Sequence, residues 1–290
     1  TAPTGETIKE LSFPELLDNE SYGQYPDGSS DFFVLPGTPS SKNTAPQNGN
    51  AVMCPEFSAE GGFYDSAFQL TLTASKDSKI FYTTDGSVPS PDSSDSKQYT
   101  GSITVQDRTD SPNVLSARTD ISVLTVNPPK NNVMKASVIR AVAVDASGNV
   151  SKPITKTYFV GKTSASYFKT MKVISLVTDQ KNLFDDEIGI YVKGNVYTSK
   201  EYKDKDGVYI DKDGNIVKRD YLETNYKQTG KEWEREACIE VFDSGESVLA
   251  QTVGIRIRGG ATRIQPQKSF SVFARSEYGG RSLNYDFFDG

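Results

Sequence analysis

The residues of this chain best suited to chemistry lie in the run GIRIRGGATRIQPQKSFSVFAR at 254–275. Arg256 and Arg258 alternate with Ile255 and Ile257, the period of a half-buried strand with one basic and one apolar face. Gly259 and Gly260 follow, then Thr262 and Arg263, and a second strand-like run opens at Lys268. Lys268 falls in register with Phe270, Val272 and Ala274. An ammonium on an apolar face needs either an anionic partner or a stem that carries it to water. The first alternative makes the Arg/Gly-rich turn a polyphosphate or carboxylate pocket, and the second makes this an edge strand. The Gly-Gly turn is neither a Walker A loop nor a Gly-x-Gly-x-x-Gly, so by itself it does not specify a nucleotide.

Two acidic clusters invite the same scrutiny. Glu234, Glu236 and Glu240 share a face if Trp233–Phe242 is extended. Against the Arg256/Arg258 face they would form a strand-to-strand ion network. A sharper alternative pairs one of them with Lys268, as kinases pair a strand lysine with a glutamate. A glycosidase pair would need a fixed separation that nothing in the sequence sets. Asp211-x-Asp213-x-Asn215 begins like a calcium loop, but Ile216 stands where such a loop needs Gly and Leu222 where it needs Glu. The flanking Val208-Tyr209-Ile210 and Ile216-Val217 instead predict a β-hairpin with Asp-Gly turns.

The elements that must carry these residues are mostly strands. Over 51–162, short apolar runs recur between turn signals: Phe68–Leu72, Ile80–Thr84 ending in Asp85-Gly86, Ile103–Val105, Val138–Val144 around Arg140, and Ile154–Val160. Even spacing of this kind predicts a β-sandwich. Phe63, Tyr64, Tyr82 and Tyr99 are either core aromatics or a sugar-stacking face. Further on, Val173–Val177 predicts a buried strand, 182–187 a short helix or turn, and Ile190-Tyr191-Val192 a strand. Residues 1–50 are rich in Pro, Gly, Ser and Asn, with Phe32–Leu35 as an apolar anchor.

Composition narrows the chemistry further. The chain has 290 residues, enough for two compact domains, and a net charge of −6 from 32 basic and 38 acidic residues, which disfavours nucleic acid and anionic membranes as partners. There is no histidine, which removes Ser/His/Asp triads, Cys/His nucleophiles and histidine-bound zinc. Cys54 and Cys238, distant in sequence, predict two free thiols. No apolar run approaches a membrane span, and no signal peptide opens the sequence.

Three blocks carry a family resemblance. The Gly254–Phe270 run with Arg275, Glu277, Tyr278 and Gly279, the run KEWEREACIE at 231–240, and ISLVTDQKNLFDDEIGIYVKGN at 174–195 together resemble the CotH family of spore-coat protein kinases, over roughly 166–290. The resemblance implies an atypical protein-kinase fold using ATP and a divalent metal such as Mg. It makes Arg258, Arg263 and Lys268 candidate phosphate contacts, and leaves Arg256 open to a salt-bridge role instead. The metal-holding and acceptor-positioning groups would lie in a lobe after Gly290. Neither a catalytic residue, a metal ligand nor a bound cofactor is therefore expected in this segment, which should be inactive alone. Residues 21–43 are similar to the closing strands of lamin-tail domains. PEFSAEGGFYDSAFQLTLTAS, KIFYTTDGSVPS, IRAVAVDASGNVS and TYFV resemble the carboxy-terminal module of chitobiases and β-hexosaminidases, with 107–136 as an insertion.

The resulting expectation is a mainly β chain in three parts: a lamin-tail-like remnant and linker at 1–50, an Ig-like β-sandwich at 51–162, and an incomplete α+β atypical-kinase-like N-terminal portion at 163–290. The parent would be an extracellular or spore-surface protein that phosphorylates Ser or Thr of a coat or cell-surface protein. The alternative is a non-catalytic surface scaffold that binds carbohydrate or a protein partner.

Overall fold

The structure is a computed structural model, and it describes residues 16, 20–24, 32–43, 52–161, 168 and 171–288. The chain divides into two compact units, Thr1–Val52 and Met53–Gly290. In the first, β1 (Glu20–Gln24) and β2 (Phe32–Pro36) form an antiparallel pair with Glu20 opposite Pro36. Leu35 is its buried anchor, and the Asn43 amide donates to the Gln24 carbonyl at 3.0 Å, returning the chain to β1. The turn at 25–29, on which the lamin-tail resemblance leans, lies outside the described residues.

The second unit is mainly β, as the strand pattern predicts. Its first half holds β3 (Glu56–Phe57), β4 (Gly62–Tyr64), β5 (Phe68–Leu70), β6 (Leu72–Thr73), β7 (Lys79–Thr83), β8 (Lys97–Gln98), β9 (Ile103–Val105), β10 (Ser137–Val144) and β11 (Ile154–Val160). A five-stranded sheet runs β4-β11-β10-β7-β8, and two ribbons, β3-β6 and β5-β9, complete the layer. The apolar run Phe68–Leu72 is one strand by pattern but two in space. Phe68–Leu70 pairs with β9, whereas Leu72 and Thr73 pair with β3. This change of partner lets both ribbons share one core, in which Leu70, Leu72, Ile80, Val105, Ile139 and Tyr158 are buried.

The second half holds β12 (Val173–Val177), helix α1 (Gln180–Phe184), helix α2 (Gly194–Thr198), β13 (Lys203–Lys205), β14 (Val208–Ile210), β15 (Ile216–Val217), β16 (Arg235–Asp243), β17 (Glu246–Arg258) and β18 (Ser269–Phe273). Strands β14 and β15 form the predicted hairpin, and β13 extends it to a three-stranded meander through a turn with Asp206 and Gly207 both at positive φ. The Asp211 carboxylate accepts the N–H groups of Asp213 and Asn215, so it closes a turn. Strand β12 is an edge, with Ile174 54% exposed, where a buried strand was expected. Ile190-Tyr191-Val192 is core but not strand: the Ile190 and Tyr191 N–H groups bond to the Asn182 and Leu183 carbonyls at 2.9 Å, which leaves no ladder to join.

The four-stranded sheet β12-β16-β17-β18 is covered on both faces. On one, Ala237, Ile239 and Val241 join Val253, Ile255, Ile257, Ile190, Tyr226 and Ile264 in a second core. On the other, the Phe242 ring meets Phe159 and Phe63 edge-on at 5.6 and 6.0 Å, and Glu240 reaches Thr157. The two halves of this unit are therefore joined through the faces of their sheets. The 107–136 connection adds a second joint, because Val123 and Leu124 pack into the second core. Among the described residues no helix is long and apolar enough to cross a membrane.

Candidate functional site

Strand β17 ends at Arg258, and the turn that follows requires glycine. Gly259 has φ 116°, and a Cβ there would sit 2.2 Å from the Thr262 hydroxyl. This turn delivers Arg263, whose guanidinium donates to the carbonyls of Gly259 (2.6 Å), Gln228 (2.9 Å) and Lys227 (3.1 Å). The result is an open groove of about 540 Å³ lined by Gly259, Gly260, Arg263, Lys227, Thr229, Tyr221 and Asp220. It adjoins a smaller one of about 230 Å³ lined by Arg256, Arg258, Arg263, Gln228, Thr229 and Ser271. Four cationic side chains thus border a region with one lining carboxylate, in a chain of net charge −6. Burial, followed by the charge of Arg256, pushes the Arg263 guanidinium below its ordinary range. An anion in the groove would relieve that repulsion.

The sequence-predicted contacts do not all meet here. Arg263 lines both grooves and Arg258 only the smaller one, where it is exposed with no ion pair among the described residues. Arg256 is committed to structure: it lies 3.6 Å from Glu234 and 4.2 Å above the Phe273 ring. Lys268 points elsewhere. Arg258 pairs with Ser269, so Lys268 lies one step beyond the ladder, on the face shared by Ile257 and Phe270. Its ammonium donates to the carbonyls of Ile121 and Gln265 (2.8 Å for the latter) and lies over the rings of Tyr226 (4.2 Å) and Tyr191 (4.7 Å). Burial pushes this group down to about 8, and among the described residues no carboxylate compensates it.

The alternative that pairs Lys268 with a glutamate is therefore not found among the described residues. Glu234 is instead held by Arg275 through two hydrogen bonds, at 2.8 and 3.1 Å. Glu240 accepts the Thr157 N–H at 3.2 Å and the Thr157 hydroxyl. The glutamates serve separate networks, which also removes a paired-carboxylate site. The four aromatics are likewise occupied. Tyr64, Tyr82 and Tyr99 pack on the first core, and Phe63 stacks on Phe159 at 4.7 Å. Cys54 and Cys238 are free, and burial pushes the Cys238 thiol up to about 12, so it is no nucleophile.

Sequence reasoning missed the tyrosines around Lys268 and the segment that caps it. The only local signal was the apolar Val123-Leu124 within an otherwise polar, Pro-containing insertion.

With fold and groove described, comparison with known proteins adds one finding. Residues 68–158 match the family model described as Fn3 associated, which covers most of the first half of the second unit. The CotH, chitobiase and lamin-tail resemblances have no corresponding family match. No curated protein and no solved structure matches the chain.

Proposed function

We propose that residues 163–290 are the front, nucleotide-covering portion of a CotH-type atypical protein kinase. On this reading the Fn3-associated region, chitobiase-like in its turn sequences, is a non-catalytic support, and residues 21–43 are the end of a lamin-tail-like module. The parent would transfer the γ-phosphoryl group of ATP to Ser or Thr of a coat or cell-surface protein, outside the cell. The observation that carries the reading is the pair of adjoining cation-lined grooves that meet at Gly259 and Arg263, with Arg263 as the phosphate contact common to both and Arg258 as the contact in the smaller one. A glycine turn that leaves backbone open beside two guanidiniums suits a polyphosphate chain. A divalent metal fits these residues less well, since among the described residues no cluster of three or more acidic or cysteine side chains could hold it. The groups that would hold Mg and position the acceptor hydroxyl are assigned to another part of the parent.

Arg258 gives the cleanest test, because its exposed side chain has no hydrogen-bond or ion-pair partner among the described residues. Calorimetric titration of ATP into the full-length parent and its Arg258→Ala variant should show a loss of roughly one to two decades in affinity, the value of one charge-assisted bond. Unchanged affinity would remove the phosphate assignment. The second reading, a surface scaffold binding a protein or carbohydrate, draws on the Fn3-associated match. Its carbohydrate version lacks a stacking platform at the four aromatics named, and it gains ground if ATP does not bind at all.

A further inference from the structure

The 107–136 connection leaves the first half of the second unit and crosses to the second, where Arg118–Leu124 docks through directional contacts. The Asp120 carbonyl accepts the Lys193 N–H at 3.2 Å, the Ser122 hydroxyl donates to the Ile264 carbonyl, and the Val123 N–H donates to the Tyr226 hydroxyl at 3.2 Å. The Ile121 carbonyl accepts from Lys268. Tyr226 thus serves both partners, bonding the segment through its hydroxyl and the ammonium through its ring face. Apolar packing of Val123 and Leu124 would not by itself aim a carbonyl at a buried cation.

The partners of Lys268 among the described residues are all neutral. Two carbonyls and two aromatic faces replace water only in part, and an ammonium so held remains a better partner for an anion than for a carbonyl. The cap also touches the groove's own turn, since Ser122 bonds to Ile264, which follows Arg263, and Lys268 bonds to Gln265, one residue further on. An anion lying across the ends of β17 and β18 would meet Arg258 from one side of the sheet and Lys268 from the other once the cap had moved.

We propose that Arg118–Leu124 is a latch: docked, it shields Lys268 from the anion of the adjoining groove, and released, it makes Lys268 a further cation of that site. The proposal rests on the reading of the groove as a polyphosphate site, and the experiment separates the two. Acetic anhydride labelling of the full chain, read by peptide mass spectrometry, reports Lys268 directly against the exposed Lys181. Tripolyphosphate titration reports the groove. The variants are Ser122→Ala, which removes the bond to Ile264, and the stronger Ser122→Ala/Val123→Asp, which also places a charge in the apolar seat. Thermal unfolding verifies that each is folded, and Ser122→Ala alone carries the test if the double variant is not.

In the wild type Lys268 should be labelled at least about tenfold more slowly than Lys181, and latch variants should close most of that gap. Tripolyphosphate affinity should rise by about five- to tenfold, and Lys268→Ala should abolish the rise. Unchanged labelling of Lys268 in folded variants overturns the latch alone. Faster labelling without a gain in affinity, in a protein that binds tripolyphosphate, overturns the shielding. Faster labelling with no tripolyphosphate binding in any variant removes the groove reading and the shielding role together.

Discussion

Glu234 and Glu240 flank the same stretch of β16, and both residues are buried, at 8% and 1% exposure. Their charge states are driven in opposite directions. For Glu234, burial alone would raise the carboxyl. Hydrogen bonds from Arg275 and Tyr278, with the charges of Arg275 and Arg256, outweigh it and hold the group below the ordinary carboxylate range. For Glu240, burial pushes the carboxyl up, and the N–H and hydroxyl of Thr157 recover only part of the loss. The difference lies in the partners: guanidiniums compensate charge, whereas hydroxyl and amide dipoles mainly satisfy geometry. The consequences are structural. Glu234 ties the end of the four-stranded sheet to Arg275, while Glu240 fills the joint between the halves of the second unit. Each carboxylate also lies against a glycine, Gly254 for Glu234 and Gly61 for Glu240.

The largest expected effect is loss of the charge at Glu234. Breaking a buried ion pair typically costs about 3–5 kcal/mol, but Arg275 and Arg256 are 37% and 28% exposed and can turn to water. Glu234→Gln should therefore destabilise by about 2–3 kcal/mol in urea melts at pH 7. The folded carboxyl is depressed, so its contribution is present above the ordinary carboxylate range and is lost as pH falls through the folded value. The gap between wild type and variant should narrow from pH 7 to pH 3. A gap that stays constant would mean that Arg275 is held by its stacking on Phe273, at 4.9 Å, and that the contrast with Glu240 is not one of charge.

The glycines sharpen the comparison by volume. A Cβ at position 254 would lie 2.4 Å from a Glu234 oxygen and 2.5 Å from Cε2 of Tyr278, while one at 61 would lie 2.7 Å from a Glu240 oxygen and 3.1 Å from the Thr157 carbonyl. Gly254→Ala and Gly61→Ala should each cost about 1–3 kcal/mol by overpacking. A double-mutant cycle with Glu234→Ala should show that most of the Gly254→Ala loss disappears once the carboxylate is gone. Independent losses would place the strain in the backbone or against Tyr278 instead.

What the sequence showed follows the range of the contacts. Period-two alternation placed Arg256 and Arg258 on one face of a strand, and Asp-Gly placed the turns of the β13–β15 meander, because both signals are local. The spacing of Glu234 and Glu240 correctly put them beside the ladder, and the opposition of Glu234 to Arg256 was legible as a cross-strand pair. Their other partners were not, since Arg275 lies beyond the next strand and Thr157 comes from the other half of the unit. The same limit hid the environment of Lys268. Its register with Phe270 put it on the apolar face of an edge strand, but neither the anionic partner nor the route to water that this implied is found among the described residues: its cap, Ile121, is 147 positions away in the chain. No local pattern records which carbonyl an ammonium will find at that separation. The groove was half legible for the same reason: the Gly-Gly turn and Arg263 are adjacent in sequence, whereas Lys227 and Tyr221 come from another segment.

The smallest expected effect carries the opposite sign. Glu240 has a raised folded carboxyl, so its contribution to stability is fully present below the ordinary carboxylate range and is lost as pH rises through the folded value. Among the charges that act on it, Lys156 favours ionisation and Glu60 opposes it, and these two are ion-paired with each other, so little net field remains to rescue the anion. Glu240→Gln keeps the shape, keeps an acceptor for the Thr157 N–H and abolishes the titration. It should match the wild type near pH 4 and exceed it at pH 8, by on the order of 1 kcal/mol, in paired denaturant titrations. A variant that is less stable at pH 8 would show that the ionised carboxylate gains more from the Thr157 donors than it loses by burial. Glu240 would then be a second Glu234, with hydroxyl and amide doing the work of two guanidiniums.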